Sequence, residues 1–107
     1  MTTVRQTFNF SNVPLNEDGI TSLSIDRWSH TLSTVDKIAY KYAQIAREAA
    51  VQQQIELGNL TIEADTGAYI WVAGADKSSV VLPEWEIFFN RFTSENGITF
   101  SESSVDL

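Results

Sequence analysis

The stretch Ser33 to Gly58, STVDKIAYKYAQIAREAAVQQQIELG, decides the fold class of this chain. Its first residue can cap a helix through the hydroxyl, and Asp36, three positions later, completes a start that resembles a capping box. Gly58 can adopt the left-handed conformation with which helices commonly end. The sequence therefore predicts one helix over residues 34–57, about 36 Å long at the usual rise per residue.

Most apolar side chains of this helix recur every three or four residues and fill one stripe about 140° wide. We expect this stripe to pack on a sheet. Tyr40, Val51 and Ile55 fall on the opposite face, among charged and polar residues, and we expect them to be exposed. The stripe comprises Val35, Ile38, Ala39, Tyr42, Ile45, Ala46, Ala49, Ala50, Gln53 and Leu57.

On both sides of the long helix, apolar and polar residues alternate, which is typical of half-buried strands. Residues 68–73 are apolar on both faces, as in the central strand of a sheet. Short links between the later segments imply antiparallel pairing, with a three-stranded meander after the helix. The predicted strands cover residues 4–10, 60–64, 68–73, 79–82 and 98–100.

A second helix follows Pro83, which suits the first helical position because no amide hydrogen is needed there. Asn96-Gly97 ends this helix. Its aromatic stripe is expected to pack in the core, whereas Ile87 projects to the polar side. The stripe consists of Trp85, Phe88, Phe89 and Phe92.

The segment before the long helix has weaker signals. Residues 11–19 are rich in Asn, Pro, Asp and Gly, which predicts a loop. Residues 20–32 fit either a strand or a helix, and a short helix around residues 26–31 is favoured.

Together these elements predict an α+β fold. A small antiparallel sheet of about four to five strands would be covered by one long helix, residues 34–57, and one shorter helix, residues 84–95. The length predicts a single domain over residues 1–107, and residues 101–107 are expected to form a flexible acidic tail.

The chain has 107 residues, no cysteine and a formal net charge of −7. Five basic and six acidic residues precede Gly58, and two basic and eight acidic residues lie from Gly58 onward, so the two parts carry net charges of −1 and −6. Such a surface repels nucleic-acid phosphates and anionic membranes, which predicts neither as a direct partner but allows a basic protein. With no visible signal peptide, we expect a cytoplasmic location, in the host cytoplasm if the chain is phage-encoded.

Few residues offer catalytic chemistry. His30 is the only histidine and cysteine is absent, so we expect no metal site, no cofactor and no nucleophile-and-base set. Glu84 and Glu86 flank Trp85, as paired carboxylates do beside aromatics in glycosidases. Positions two apart on a helix point about 200° from each other, however, and both carboxylates fit better as partners of the helix dipole.

Asp65-Thr66-Gly67 is a tripeptide also found in aspartic proteases of the retroviral type, where two aspartates share one proton across a dimer. A long helix precedes it here, Glu63-Ala64 replaces the usual apolar pair, and no glycine-rich flap follows. Asp-x-Gly is also a common turn, and we predict a turn between two strands. An aspartic-protease-like enzyme using Asp65 is kept as an alternative to the two functions described next.

A non-catalytic protein-interaction module is the function that these features favour, specifically a small acidic inhibitor of a basic protein that can itself bind nucleic acid. Phages and mobile elements encode proteins of this class. The alternative is an oligomeric structural or assembly protein of the virion or appendage type, and a homodimer through the long helix is compatible with either. The candidate protein-binding residues are Tyr40, Val51, Ile55, Glu84, Glu86 and Ile87.

Overall fold

A computed structural model of the protein describes residues 3–13 and 24–107. Over these residues a four-stranded antiparallel sheet is combined with three α-helices and one 3-10 helix, so the predicted α+β class is confirmed. In chain order the elements are β1 (Thr3–Ser11), α1 (Ile25–Ser29), α2 (Thr34–Glu56), β2 (Leu60–Ile62), β3 (Tyr69–Val72), the 3-10 helix (Lys77–Val80), α3 (Pro83–Asn96) and β4 (Thr99–Asp106).

The predicted long helix is confirmed as α2, with both of its end signals in use. The backbone N–H of Asp36 donates to the Ser33 hydroxyl at 3.2 Å, which satisfies one of the amides that the first turn leaves without a partner. At the other end Leu57 is the C-cap and Gly58 follows with φ of +78°. A left-handed residue at that position lets the chain leave the helix without a Cβ clash.

The two shorter helices begin and end where the local signals place them. Ser24 caps α1 by accepting from the N–H of Arg27 at 3.1 Å, and α1 confirms the short helix favoured before α2. Pro83 opens α3, and Gly97 closes it with φ of +65°. Residues 14–23, which include most of the predicted loop, lie outside the described residues. None of the helices in the described ranges has the length and apolar character needed to span a bilayer.

The sheet has the strand order β2-β3-β1-β4, with every neighbouring pair antiparallel. The pairing of Val4 with Trp71 and of Gln6 with Tyr69 sets the register of β1 against β3. β3 therefore occupies an interior position, as its apolar sequence predicts. Side chains alternate between an inner face, which meets the helices, and an outer face, which is polar at Arg5 and Thr7.

Two predicted segments differ from the structure. Residues 79–82 do not form a strand, because Asp76 accepts from the N–H of Ser78 at 3.0 Å and starts the 3-10 helix Lys77–Val80 instead. The three-stranded meander is therefore wrong, since β2 and β3 form a hairpin only. The flexible tail at residues 101–107 is also wrong, because residues up to Asp106 continue β4 and pair with β1.

α2 connects two separate hydrophobic clusters. Its first half packs against α1 and α3, and its second half packs against the inner face of the sheet. The helical cluster contains Trp28, Leu32, Tyr40, Ala43, Phe88, Phe92 and Ile98. The sheet cluster contains Val51, Leu60, Tyr69 and Trp71.

The face of α2 that is buried is the opposite of the predicted one. Tyr40 and Val51 are only 4% and 9% exposed, whereas Val35 and Tyr42, on the expected core stripe, are 76% and 71% exposed. The predicted exposure of Tyr40, Val51 and the half-buried Ile55 is therefore wrong. Both faces of α2 carry apolar side chains. The buried face is the one on which the polar groups of Tyr40 and Arg47 find hydrogen-bond partners in other elements.

Candidate binding groove

An open groove of about 350 Å³ lies between the inner face of the sheet and the segment that leads into α3. β1, β3 and β4 form its floor, and the end of the 3-10 helix and the first turns of α3 form its wall. Ligand sites in proteins are commonly concave and largely apolar, with a few polar groups at fixed positions. Six aromatic side chains line this groove: Phe8, Phe10, Tyr69, Trp85, Phe89 and Phe100.

Aromatic contacts connect the floor of the groove to α3. The ring of Phe89 meets that of Phe100 edge-on with centroids 4.8 Å apart, and Phe10 lies 5.2 Å from Phe100. Phe8 stacks against Phe100 at 6.2 Å. Phe10 is still 50% exposed, because the helices cover only part of the β1–β4 side of the sheet. The groove therefore presents partly exposed aromatic surface.

A chain of hydrogen bonds leads from the sheet cluster to the groove. The indole N–H of Trp71, which is fully buried, donates to Oε1 of Gln6 at 2.9 Å. Nε2 of Gln6 then donates to Oε2 of Glu102 at 3.2 Å. Gln6 is itself 9% exposed, so both ends of its amide are satisfied inside the protein. These hydrogen bonds hold the Glu102 carboxylate at the floor of the groove.

The two cations of the groove are engaged by the protein itself. The Arg47 guanidinium donates to the Tyr69 hydroxyl at 3.1 Å and lies 5.5 Å from the ring centroid of Trp85. Nζ of Lys77 donates to Oγ of Ser104 at 3.4 Å. Arg47 thus connects α2 to β3 and to α3 and has a structural role. The sequence pattern places it on a polar face of the helix.

The predicted binding residues divide into two groups. Glu84, Glu86 and Ile87 lie on the first turns of α3, all exposed, with Ile87 at 60%, and Glu86 reaches the groove. Whether they bind a protein stays a prediction. The other three, Tyr40, Val51 and Ile55, lie on the inner side of α2 and are not brought together with them.

Sequence reasoning missed the contribution of β4. Phe100 and Glu102 both line the groove, but the predicted strand ends at Phe100, and the predicted tail over residues 101–107 leaves Glu102 out. Beyond Phe100 the side chains on that side of the strand are all polar, namely Glu102, Ser104 and Asp106, so no alternation of apolar and polar residues extends the predicted strand. The serine-rich, acidic composition of this segment is typical of a loop.

A second, polar cleft of about 310 Å³ lies between α1 and α2. The Tyr40 hydroxyl donates to Oδ1 of Asp26 there at 3.1 Å. Burial, and then this hydrogen bond to a carboxylate, raise the pKa of Tyr40 to about 12. His30 and Lys41 also line the cleft. The buried phenol therefore connects α1 and α2.

Asp65 lies exposed in the turn that joins β2 to β3, and the predicted hairpin turn is confirmed. Gly67 has φ of +73°, and its N–H donates to the Glu63 carbonyl at 2.8 Å. The Glu63 carboxylate accepts from Arg5 at 2.9 Å and from the Thr66 hydroxyl. The hydrogen bond from Arg5, followed by that from Thr66, lowers the pKa of Glu63 to about 2.

Across residues 3–13 and 24–107, no group of three or more His, Asp or Glu side chains could hold a metal ion. Comparison of the chain with protein-family models, with curated proteins and with solved structures finds no match.

Proposed function

We propose that this protein is a non-catalytic protein-interaction module that holds an apolar, basic segment of a partner protein in its aromatic groove. The observation that carries the proposal is the open groove itself, in which five aromatic side chains remain partly accessible beside two carboxylates, while Tyr69 is buried. Aromatic anchors surrounded by polar groups are typical of protein interfaces.

The charges around the groove favour a basic occupant. The side chains of Arg47 and Lys77 already have partners within the protein, whereas the Glu86 carboxylate forms no hydrogen bond or ion pair within the described residues. Glu84 lies on the same turn of α3, and Glu102 faces the groove from β4. An apolar side chain in the groove, flanked by Lys or Arg, would therefore satisfy both the aromatic surface and the carboxylates.

The proposal includes an inhibitory role. Residues 58–107 carry a net charge of −6, and they supply most of the groove lining. A partner whose basic surface normally holds nucleic acid would lose that surface to the module, because both ligands compete for the same Lys and Arg side chains. Binding would then block nucleic acid by occlusion.

A peptide experiment tests the groove directly. Peptides with a central Phe or Leu between Lys and Arg residues are titrated against the protein, and the change in tryptophan fluorescence, to which Trp85 in the groove contributes, reports occupancy. We expect saturable binding that weakens as salt rises, and weaker or no binding of peptides with Glu in place of Lys and Arg. Equal binding of both peptide sets would contradict the charge argument.

Variants show whether the peptide affinity depends on the carboxylates of the groove or only on the net negative charge of the protein. The double variant Glu86→Gln/Glu102→Gln keeps the shape of the groove and should weaken the basic peptide about tenfold. Glu56→Gln/Glu95→Gln removes the same charge away from the groove and should leave the affinity nearly unchanged. Phe100→Ser should abolish binding through loss of the aromatic floor. If neither groove variant affects binding, the site lies elsewhere on the protein.

A further inference from the structure

The exposed face of α2 carries a row of large apolar side chains that nothing in the described residues covers. Val35, Ile38, Tyr42 and Ile45 are between 51% and 76% exposed. Scattered exposed apolar residues are normal on protein surfaces, but a contiguous row along one helix is typical of an interaction surface. Because α2 has 23 residues, this row lies on a rod about 35 Å long.

The spacing of the row is that of a coiled-coil seam. Residues 35, 38, 42, 45, 49 and 52 are separated alternately by three and four positions, which places them at the a and d positions of a heptad repeat. Val35, Tyr42 and Ala49 take a positions, and Ile38, Ile45 and Gln52 take d positions. α2 thus has two faces, one built into the monomer and one shaped for a second helix.

The flanking charges indicate the identity and direction of that second helix. Lys41 and Glu48 both occupy g positions, and neither forms an ion pair within the described residues. In an antiparallel pair of identical helices, g positions face g positions, so Lys41 of each copy meets Glu48 of the other. In a parallel pair g faces e, and the e positions here are Ala46 and Gln53.

We propose that two copies of this chain associate through the exposed face of α2 as an antiparallel helix pair. Tyr42 of one copy then packs against Ile45 of its partner at the centre, and two Lys41–Glu48 pairs flank the seam. Alanines at positions 39, 46 and 49 allow the two backbones to approach closely. Arg47, which lines the groove, lies on the other side of α2, so association leaves both grooves accessible.

The first measurement is the mass in solution by analytical ultracentrifugation over a range of protein concentrations. We expect a monomer–dimer equilibrium that Ile38→Glu shifts to monomer, with a dissociation constant raised at least about tenfold by a charge in the seam. Val105→Glu places the same charge on an exposed position of β4 and should leave the equilibrium unchanged. A wild-type chain that is monomeric at all concentrations would overturn the proposal.

Charge exchange tests the pairing without disturbing the seam. Lys41→Glu and Glu48→Lys each create like-charge contacts in an antiparallel dimer, and each should weaken it about tenfold. The double exchange, or an equimolar mixture of the two single variants, restores opposite charges and should restore dimerisation. Failure of both rescues would overturn the antiparallel arrangement.

Cysteine cross-linking gives an independent measure of direction, because the natural chain has no cysteine. The antiparallel register places position 35 opposite position 52 of the partner. A mixture of Val35→Cys and Gln52→Cys chains should form a disulfide-linked heterodimer, while Val35→Cys alone should not cross-link. Cross-linking of Val35→Cys with itself would instead show a parallel pair. These readouts do not depend on the groove, so they can fail or succeed separately from the proposed peptide binding.

Discussion

Tyr40 shows how a single side chain decides which face of a helix is buried. Its ring contacts Phe88 with centroids 5.6 Å apart and Trp85 at 5.4 Å, and its hydroxyl donates to Asp26. Phenol is apolar along the ring and polar at the tip, so it can be buried where the tip finds an acceptor. Tyr42, two positions on, has no such acceptor within the described residues and remains on the exposed face.

Tyr40→Ala should therefore destabilise the protein by about 3 kcal/mol or more, because it leaves a cavity between α2 and α3. Tyr40→Phe retains the ring contacts and should cost about 1 kcal/mol through the lost hydrogen bond. Urea unfolding followed by circular dichroism measures both. A cost below about 0.5 kcal/mol for Tyr40→Ala, as for an ordinary surface position, would contradict the burial of this residue.

The same side chain predicts a change in stability at high pH. The folded pKa of Tyr40, about 12, lies above its ordinary value of 10.0, so folding favours the neutral phenol. The contribution of Tyr40 to the free energy of unfolding is complete below pH 10 and is lost as the pH rises from about 10 to 12. Over that range the phenol ionises in the unfolded chain but stays neutral in the folded one. The difference in unfolding free energy between wild type and Tyr40→Phe should shrink over that range.

Glu63 predicts the opposite dependence at low pH. Its pKa falls from 4.5 to about 2 because Arg5 and Thr66 stabilise the carboxylate. The stabilisation is present above pH 4.5 and is lost as the pH falls towards 2, where the folded carboxylate also takes a proton. Melting temperatures of wild type and Glu63→Gln should converge at low pH, and a side-chain NMR titration gives the pKa itself. An NMR pKa near 4.5 would contradict the Arg5 contact.

At the scale of elements, β4 is the most informative. All eight of its residues are exposed, and its sequence, TFSESSVD, carries little apolar signal. The strand forms because its backbone pairs with β1 from Val4–Asp106 to Ser11–Thr99, and because Glu102 and Ser103 bond to Gln6 and Thr7. Pairing with a partner strand thus overrides a composition that is typical of a loop.

Deletion of residues 102–107 tests that pairing. It removes more than half of the β1–β4 ladder and leaves Gln6 without its carboxylate, so we expect a loss of roughly 2 kcal/mol or more. Deletion of Leu107 alone is the matched control and should cost little. A truncated chain as stable as the full one would show that these residues behave as a tail.

At the scale of the whole molecule, α2 connects two clusters that would each be small alone. The helical cluster lies on its first half and the sheet cluster on its second half, with the open groove beside them. The chain is accordingly elongated, with extents of 45 × 33 × 20 Å. A continuous helix transmits disorder in one cluster to the other, which predicts a single cooperative unfolding transition.

Phe88→Ala tests this cooperativity. The side chain is 7% exposed in the helical cluster, and its truncation should cost about 3–5 kcal/mol. We expect circular dichroism and the fluorescence of Trp71, in the sheet cluster, to report the same lowered midpoint. Variants that retain only Trp71, with Trp28 and Trp85 changed to Phe, make the fluorescence specific. Two separated transitions would show that the clusters unfold independently.

The order and type of the main elements were determined by the sequence itself, because their signals are local. Ser33 and Gly58 bound α2, Pro83 and Gly97 bound α3, and Asp65-Thr66-Gly67 turns the β2–β3 hairpin. Alternation likewise predicted β1, and a segment that is apolar on both faces predicted the interior β3. Each of these signals acts within a few residues and needs no knowledge of what lies across the fold.

Only the tertiary structure decided which face of α2 is buried and that β4 completes the groove. α2 carries apolar side chains on two faces, and the choice depends on distant partners: Asp26 for Tyr40, and Tyr69 and Trp85 for Arg47. β4 depends in the same way on the backbone of β1. The periodicity of a sequence shows where apolar residues recur, but it does not show which distant residues will pair with the polar ones. The candidate groove depends on such long-range pairs, which is why it could not be predicted.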